Sequence, residues 1–366
     1  MAGSGFGTNF RITTWGETHG AGVGVVVDGC PAGLPLERED VQKYLDRRKP
    51  RQSKYTTQRK EGDQVEILSG IFEGRTTGTP ISMVVYNKDQ RSKDYSNIKD
   101  IYRPGHADFT FDMKYGFRDY RGGGRSSGRE TIGRVAAGAV AAKVLKELGI
   151  EIKAYAKAIA GIEVSKDHFD FAEMNNNPFN MPDKEAAKLV QEKADQMIKE
   201  MDSIGGIIEC QITGMPVGIG ETVFDKLDAE LSKAIMSIGS VKGFEIGDGF
   251  EAANLRGSEN NDDFICVDGK VEKETNHSGG VLGGMSDGSA IVFRAAIKPT
   301  PSIAQTQKTV NRDLDNVEIE IHGRHDPMIV PRAVVVVESM AAVTILDGVL
   351  KNLGATMDNI KKIYGE

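Results

Sequence analysis

The sequence predicts an α/β fold of the α+β type: a β–α–β sandwich of two similar halves, with helices in the interior between antiparallel sheets. Three observations predict it. Glycine-rich motifs recur in the same order in both halves, strand-like runs adjoin each motif, and each half ends in a helix of small and apolar residues. We expect residues 1–366 to form a single domain with an internal pseudo-repeat of approximately 1–150 and 151–366.

The first repeated motif reads Gly-x-Pro-x-Gly-apolar, at 29–34 and at 214–219. In both copies a β-like run precedes the motif and a helical stretch follows it. The runs are 23–27 and 207–212, and the helical stretches are 38–47 and 224–238.

The second repeated motif reads Gly-apolar-apolar-x-Gly-x-Ser/Thr-x-Gly-x-x-Ile, at 70–81 and at 280–291. Each copy leads into a strand-like run, Ile81–Tyr86 or Ile291–Ile297. Two ordered matches favour an internal duplication, and chance similarity among glycine-rich turns is the alternative. Superposition of 20–150 on 205–350 distinguishes them.

The helices that end the halves indicate which elements are buried. The stretch 130–148 is rich in glycine and alanine, so neighbours can approach it closely on several sides, and 333–350 is apolar nearly all round. Both are expected in the interior. In contrast, 165–182 is polar and predicts a loop, and 183–202 predicts an exposed, charge-laced helix.

Composition limits the class of protein. The net charge of −7 argues against a protein that lives on nucleic acid, which is usually basic over its whole domain. Three widely separated cysteines indicate neither a disulfide framework nor metal-ligand spacing, so we predict no metal. The N-terminus lacks a signal-peptide pattern, and no uninterrupted apolar run approaches 18 residues. We therefore expect a cytoplasmic protein that is not in a membrane.

The most unusual segment, 118–134, concentrates five arginines with glycines and two serines before the first of these helices. Arginine forks, glycine backbone and a helix N-terminus together favour a bound polyanion. A solvated surface loop and an RNA-binding Arg-Gly tract are the alternatives. The Ser127–Glu130 spacing predicts a capping box, which is compatible with anion binding.

Several other loops carry candidate reactive groups. His19, His106 and His325 lie in glycine-containing loops, which offer the access that a general acid needs, although a structural role is the commoner one for any single histidine. The run 298–302 either presents Lys298 and the hydroxyls of Thr300 and Ser302 rigidly to a ligand or is a proline-stiffened turn. The basic run 47–51 either complements a helix C-terminus or forms a second anion-binding site.

Taken as chemistry, arginines that neutralise an oxyanion and a histidine that protonates a leaving oxygen indicate removal or transfer of a phosphate. The residues do not define the substrate, and no Walker-type or GxGxxG motif indicates a nucleotide.

Eight motifs in order make the chain resemble the chorismate synthases, from Phe10 to about Asp347. They are Gly-Glu-Thr-His-Gly, Leu-Asp-Arg-Arg, Tyr-Thr-Thr-Gln-Arg, Arg-Pro-Gly-His-Ala-Asp, Arg-Gly-Gly-Gly-Arg-Ser-Ser, Phe-Asp-Lys-Leu, Lys-Pro-Thr-Pro-Ser and Gly-Arg-His-Asp-Pro. The resemblance implies a lyase of aromatic amino acid biosynthesis, which converts 5-enolpyruvylshikimate 3-phosphate to chorismate by anti 1,4-elimination of phosphate. It also implies reduced FMN that is not consumed, possible use of NADPH as reductant, and a homotetramer.

The resemblance assigns roles to individual residues. His19 protonates the departing phosphate, His106 protonates or stabilises the flavin, and Asp326 assists removal of the ring proton. The FMN contacts are Arg125, Ser126, Ser127, Gly239, Ser240, Gly283, Lys298, Pro299, Thr300, Pro301, Ser302 and Arg324. The contacts to substrate or NADPH are Arg48, Lys54, Arg129, Arg134 and Arg332.

The chain departs from the family pattern at a few of these motifs. Thr18 replaces a serine but keeps the hydroxyl, Lys54 replaces an arginine of some relatives, and Gly239-Ser240 replaces an Asn-Ala pair. With the resemblance, the solvated-loop interpretation is kept only for Arg118 and Arg121. A flavoprotein oxidoreductase that uses NADPH and, more remotely, an RNA-binding protein are the alternative functions.

Overall fold

In the computed structural model, which describes residues 3–50, 52–57, 62–88, 99–321 and 326–365, two five-stranded antiparallel sheets enclose a layer of helices. This is the predicted sandwich. The helices, in chain order, are α1 (Arg38–Arg48), α2 (Asp108–Tyr115), α3 (Thr131–Glu147), α4 (Lys184–Lys199), α5 (Leu227–Met236), α6 (Gly257–Asn260), α7 (Val330–Lys351) and α8 (Met357–Tyr364).

The first sheet has the strand order β1–β2–β3–β7–β4. Its strands are β1 (Gly5–Phe6), β2 (Arg11–Gly16), β3 (Gly22–Asp28), β4 (Val65–Ile67) and β7 (Ile81–Tyr86). In β2, Ile12 and Thr14 are buried while their neighbours are exposed, which is the alternation expected of a sheet with one face on the core.

The second sheet, read from one edge, has the order β9–β8–β10–β16–β11. Its strands are β8 (Glu151–Ile159), β9 (Ile162–Glu163), β10 (Gly206–Thr213), β11 (Val241–Ile246) and β16 (Ile291–Ile297). The pairing of β3 with β7 in the first sheet is matched here by β10 with β16, and that of β4 with β7 by β11 with β16. This correspondence supports the proposal of an internal duplication, which superposition of the halves tests.

Short hairpins project from the sheets. They are β5 (Ile71–Phe72) with β6 (Arg75–Thr76), β12 (Phe264–Val267) with β13 (Lys270–Lys273), β14 (Val281–Leu282) with β15 (Met285–Ser286), and β17 (Thr306–Val310) with β18 (Asn316–Glu320). The hairpins β5–β6 and β14–β15 are formed by the second repeated motif, whose glycines Gly70 and Gly280 both have positive φ.

The helical layer contains more than the two helices predicted to be buried. Helices α3 and α7 pack against each other at the centre of the layer, and α1 and α5 lie beside them in the same layer. The α3–α7 contact is so close that a Cβ on Gly138 would lie 2.2 Å from the Cβ of Ser339. The small residues noted in the sequence are therefore what permits this crossing.

Helix α7 is long and apolar enough to span a membrane, but 83% of its most apolar window is buried inside the protein. That burial identifies it as a core helix. Helix α4 lies outside the layer, as its charge pattern predicts, and begins at Asp183, whose carboxylate accepts hydrogen bonds from the N–H groups of Glu185 (2.9 Å) and Ala186 (3.0 Å).

Candidate active site

The loop from Arg103 to Asp108 is closed by an ion pair between its ends. The Asp108 carboxylate accepts hydrogen bonds from the Arg103 backbone N–H (3.1 Å), Nε (2.7 Å) and Nη2 (2.8 Å), and both side chains are buried. Burial alone would raise the pKa of Asp108, but the hydrogen bonds and charge of Arg103 hold it below its ordinary value. The charged pair therefore fixes the turn that carries His106.

His106 has a defined tautomer because of its two partners. Its Nδ1 lies 3.0 Å from the Pro104 carbonyl oxygen, which can only accept, so Nδ1 carries the hydrogen. Its Nε2 then accepts from the Ser302 hydroxyl, 2.8 Å away. Burial, followed by the positive charge of Arg103, lowers the pKa of His106 below its ordinary value. The ring is thus held neutral near pH 7, with a basic nitrogen directed at Ser302.

The run 298–302 packs directly against the His106 loop. Lys298 donates from Nζ to the Gly105 carbonyl (3.0 Å) and from its backbone N–H to the Ser240 carbonyl (2.9 Å). Gly105 has φ +70°, and a Cβ there would lie 2.6 Å from the Cβ of Pro301. The hydroxyl of Thr300 is buried without a hydrogen-bond partner among the described residues. The structure therefore brings His106, Ser240 and 298–302 together.

A second group of residues forms an arginine cluster, which consists of Arg48, Arg129 and Arg332 with their partners Asp63 and Asp326. Asp63 is buried and bridges two of the arginines, with Oδ2 2.8 Å from Arg48 Nη1 and Oδ1 3.0 Å from Arg129 Nη1. Burial lowers the pKa of Arg48 to about 10, with Asp63 acting in the opposite direction, so the guanidinium stays charged at pH 7.

Asp326, which lies just before α7, completes the arginine cluster. One carboxylate oxygen accepts from Arg332 Nη1 (2.7 Å) and the other from the Thr57 backbone N–H (2.8 Å), while Arg332 Nε donates to the Arg48 carbonyl (3.0 Å). The cluster thus concentrates three guanidinium groups in a small, largely buried volume. Guanidinium groups bind phosphate and carboxylate through paired hydrogen bonds, so the cluster is suited to an anion.

His19 lies in a tight turn, closed by a hydrogen bond from the Gly20 N–H to the Glu17 carbonyl (3.2 Å). The ring packs on the backbone of Gly122, where an added Cβ would lie 3.0 Å from the histidine Cδ2 and 3.1 Å from Nε2. The hydroxyl of Thr18 is buried beside it, with no hydrogen-bond partner in the described part of the chain. The glycine-rich segment and the His19 turn are thus adjacent.

Two arginines of segment 118–134 are engaged by the protein itself. Arg125 donates to the Gly16 carbonyl (3.0 Å) and to the Thr14 hydroxyl (2.7 Å). Arg134 donates to Glu130 (2.8 Å) and to the Ser237 hydroxyl (2.6 Å).

The predicted capping box is not formed. The Ser127 oxygen accepts from the Arg129 N–H (3.2 Å) and caps a short 3-10 turn, 128–130, that leads into α3. The Glu130 carboxylate accepts from the Thr14 hydroxyl (2.8 Å) and from Arg134. Glu130 therefore supports the sheet–helix contact and not the helix start.

The solvated-loop interpretation is wrong for Arg118. That side chain is buried and donates to the carbonyls of Lys99 (3.1 Å) and Ile101 (3.0 Å). Arg121 is exposed, as expected, and forms an ion pair with Asp119 (2.6 Å). Local sequence did not distinguish them because the carbonyl partners of Arg118 are 17 and 19 residues earlier in the chain.

The other described residues named from the sequence are exposed. Gly283 is in the β14–β15 hairpin at the Ile291 end of β16, whereas Lys298 follows the opposite end, about 20 Å away at the usual rise per residue. Lys54 is exposed and pairs with Asp195 (2.7 Å). Ser126 is exposed, with its hydroxyl donated to the Gly123 carbonyl (2.7 Å), and Gly239 is exposed beside Ser240. Arg324 and His325 lie outside the described residues.

Sequence reasoning missed Asp63 and Asn87, which link the groups. The Asn87 amide contacts Arg129 on one side and the His19 turn on the other. Neither residue belongs to a repeated motif or a helical spacing, and each acts on partners far away in the chain. The one available signal was local: Asn87 directly follows a predicted strand, and Asp63 lies just before β4.

The comparisons with known proteins identify the family of the chain. The sequence model of the chorismate synthase family matches residues 10–350. The chorismate synthase of Lachnospira eligens is 67% identical over the whole of both chains, and that of Agathobacter rectalis is 65% identical over all of this chain and 99% of its own. A crystal structure of a chorismate synthase superposes with a TM-score of 0.77 at 31% identity and covers 98% of this chain and 96% of that chain. The chain therefore belongs to the chorismate synthase family.

Proposed function

We propose that the chorismate synthase reaction, anti 1,4-elimination of phosphate from 5-enolpyruvylshikimate 3-phosphate, takes place between the arginine cluster and the two histidine loops. The observation that carries this proposal is the buried Arg48–Asp63–Arg129 arrangement, which lies with Arg332 beside it and is linked through Asn87 to the His19 turn. A substrate with two carboxylates and a phosphate supplies the anionic groups that such a cluster selects.

Within this proposal His19 holds the proton that the departing phosphate needs. Its ring is half-buried against Gly122, a position in which a larger residue would collide with the ring. Positioned general acids typically contribute about 10²–10⁴-fold to rate. The Thr18 hydroxyl, buried beside the ring, is available to hydrogen-bond a ligand.

Asp326 is the group proposed to assist removal of the ring proton. Its two hydrogen bonds, from Arg332 and from the Thr57 backbone, fix the orientation of the carboxylate. Arg332 holds Asp326 and the Arg48 backbone together, so the base and the anion site have a common support.

The loop pair around His106 fits an FMN site. It offers the Lys298 ammonium, the buried Thr300 hydroxyl without a partner among the described residues, and the Ser302 hydroxyl held by His106. Ser240, Gly239 and Pro299 to Pro301 would form the walls, and the backbone around Arg125, Ser126 and Ser127 would contribute further contacts. Reduced FMN supplies electron density that stabilises an electron-deficient substrate as phosphate leaves.

Within that site His106 is proposed to hold or move a proton at Nε2. The ring presents Nε2 as an acceptor because Nδ1 is committed to the Pro104 carbonyl. Protonation of Nε2 would require the Ser302 hydroxyl to rotate away or act as an acceptor, so Ser302 is placed to control that protonation.

The assembly proposal follows from Gly283. Because Gly283 and Lys298 are at opposite ends of β16, we propose that one copy of the chain supplies Lys298 and a second copy supplies Gly283 to the same flavin. This supports the homotetramer implied by the family resemblance, in a cytoplasmic enzyme. Light scattering after size-exclusion chromatography tests the oligomeric state.

The exposed Lys54 and the buried Arg48 give weak support to a coenzyme site for NADPH. Arg48 is committed to Asp63, and Lys54 lies on the surface beside Asp195.

The RNA-binding alternative needs an open arginine tract, but Arg118 is buried and Arg125 bonds to the first sheet.

The decisive experiment is anaerobic. The protein is mixed with chemically reduced FMN and 5-enolpyruvylshikimate 3-phosphate, and chorismate and phosphate are measured. Equal amounts of both products support the proposal, and their absence refutes it. Repetition with oxidised FMN and NADPH alone decides whether the enzyme reduces its own flavin. NADPH consumption without phosphate release would indicate a flavoprotein oxidoreductase.

A further inference from the structure

We propose that Asn87 is a positioning residue that fixes the His19 turn relative to Arg129. In this role it keeps the proton donor for the departing phosphate in register with the arginine that holds the substrate anion. The inference rests on the proposed functions of His19 and Arg129.

Asn87 uses its whole side chain for this link. It follows the last residue of β7, where its backbone N–H donates to the Ala21 carbonyl (3.0 Å). Its Nδ2 donates to the carbonyls of Glu17 (2.9 Å) and Gly20 (2.8 Å). Its Oδ1 accepts from Arg129 Nε. The amide orientation is determined by these partners, because carbonyls only accept and a guanidinium only donates.

The two carbonyls that Asn87 contacts are at the ends of the turn that carries His19. One hydrogen bond, from the Gly20 N–H to the Glu17 carbonyl, closes that turn, and Asn87 holds both carbonyls from outside. Gly122 limits the ring on another side. Loss of the Nδ2 donors would therefore remove both of these hydrogen bonds and give the turn more freedom to rotate.

At its other end the link is equally fixed. Arg129 is held by Asp63 through Nη1 (3.0 Å) and by Asn87 through Nε, so the guanidinium plane is defined at two points. Asp63 in turn holds Arg48. A continuous hydrogen-bonded chain thus connects Arg48, Asp63, Arg129, Asn87 and the His19 turn. Displacement of a reacting group by about 1 Å can cost on the order of 10²-fold in rate, so this chain is sufficient to affect turnover.

The test uses Asn87→Asp, which is nearly isosteric. The variant keeps an acceptor for Arg129 but places a carboxylate oxygen against the Glu17 and Gly20 carbonyls, so the turn loses its donors. We expect kcat to fall by about tenfold or more, and the added negative charge beside Arg129 to raise the KM for the anionic substrate as well. Asn87→Ala removes both ends of the link, so it should lower kcat and also raise KM.

A double-mutant cycle with His19→Ala assigns the effect. If Asn87 acts through His19, Asn87→Asp should lower kcat in the wild-type background and have little further effect in the His19→Ala background. An equal loss in both backgrounds, or an unchanged kcat in Asn87→Asp alone, would overturn the inference and leave the proposed function intact. Full turnover by His19→Ala itself would overturn both.

Asn177 is the matched control. It is also a partly buried asparagine that bridges backbone groups: it donates to the carbonyls of Glu173 (2.7 Å) and Met181 (2.8 Å) and accepts from the Phe179 N–H (3.1 Å). It lies in the loop before α4, outside the candidate site. Asn177→Ala should lower Tm to a similar extent as Asn87→Ala while kcat stays unchanged. If kcat falls in proportion to Tm in Asn87→Asp, Asn87→Ala and Asn177→Ala alike, the role of Asn87 is merely structural.

Discussion

Replacement of Gly138 by alanine should separate the two central helices of the sandwich. A Cβ at this position would lie 2.2 Å from the Cβ, 2.5 Å from the Cα and 2.7 Å from the Oγ of Ser339. Ordinary van der Waals contact begins near 3.4 Å, so the helices must move apart by more than about 1 Å. A side-chain rotation cannot relieve the clash, because a backbone atom takes part in it.

The magnitude follows from two opposing terms. Overpacking of a core typically costs about 1–3 kcal/mol, and the backbone contact places Gly138→Ala at the upper end of that range. The higher helix propensity of alanine returns about 1 kcal/mol. We therefore expect the free energy of unfolding to fall by about 2 kcal/mol. Turnover should also fall, because Arg129 lies just before α3 and Arg332 is at the start of α7.

Urea unfolding followed by circular dichroism, at a fixed protein concentration, measures the effect. Gly348→Ala is the control in α7, since its Cβ would meet only the γ2 methyl group of Ile219, at 3.2 Å, and no backbone atom. That variant should be neutral or slightly more stable. If Gly138→Ala were as stable as Gly348→Ala, the close crossing of α3 and α7 would be refuted.

Three further outcomes are expected. His19→Ala and His106→Ala should each lower turnover at least about tenfold while the protein stays folded and binds FMN, and wild-type turnover in either variant would remove that histidine from the mechanism. The pKa of His106 in the folded protein is below its ordinary value of 6.5, so its contribution to stability is complete above pH 6.5 and is lost as the pH falls through the folded pKa. The difference in Tm between wild type and His106→Ala should therefore shift against wild type below pH 6.5. A difference that stays constant with pH would contradict this. Lys54→Ala should leave Tm unchanged by calorimetry, because its ion pair with Asp195 is exposed, and a clear decrease would show that the pair is structural.

Much of the fold could be predicted because the signals are local. The runs Ile81–Tyr86 and Ile291–Ile297 are strands with the expected bounds, and the predicted helices 130–148 and 183–202 appear as α3 and α4 within a few residues. Hydrophobic periodicity and glycine spacing act within one element, so they can be read before any tertiary contact is known. The burial of α1 and α5 beside the central helices was not predicted, since it depends on which elements share the layer.

The candidate site was predictable in its residue types but not in its connections. The arginine-rich segment 118–134 indicated an anionic ligand and the glycine-flanked histidines indicated a proton donor, while the family resemblance named the reaction and assigned a role to Asp326. Ser127 caps the turn that leads into α3, but the reciprocal half of the predicted capping box is absent because Thr14, on a neighbouring strand, and Arg134 take the Glu130 carboxylate. Competition between partners distant in the chain cannot be resolved from local spacing.

The sequence by itself determined the sandwich and the family, and it predicts two similar halves, because these depend on periodicity and on motifs that fold locally. Tertiary structure alone decided that Asp63 pairs with both Arg48 and Arg129, that Asn87 joins Arg129 to the His19 turn, and that Arg118 is buried. Each of these facts depends on charges and hydrogen-bond donors that chain folding brings together from separate segments. Burial then makes their pairing obligatory, because an unpaired charge or donor in the interior costs several kcal/mol.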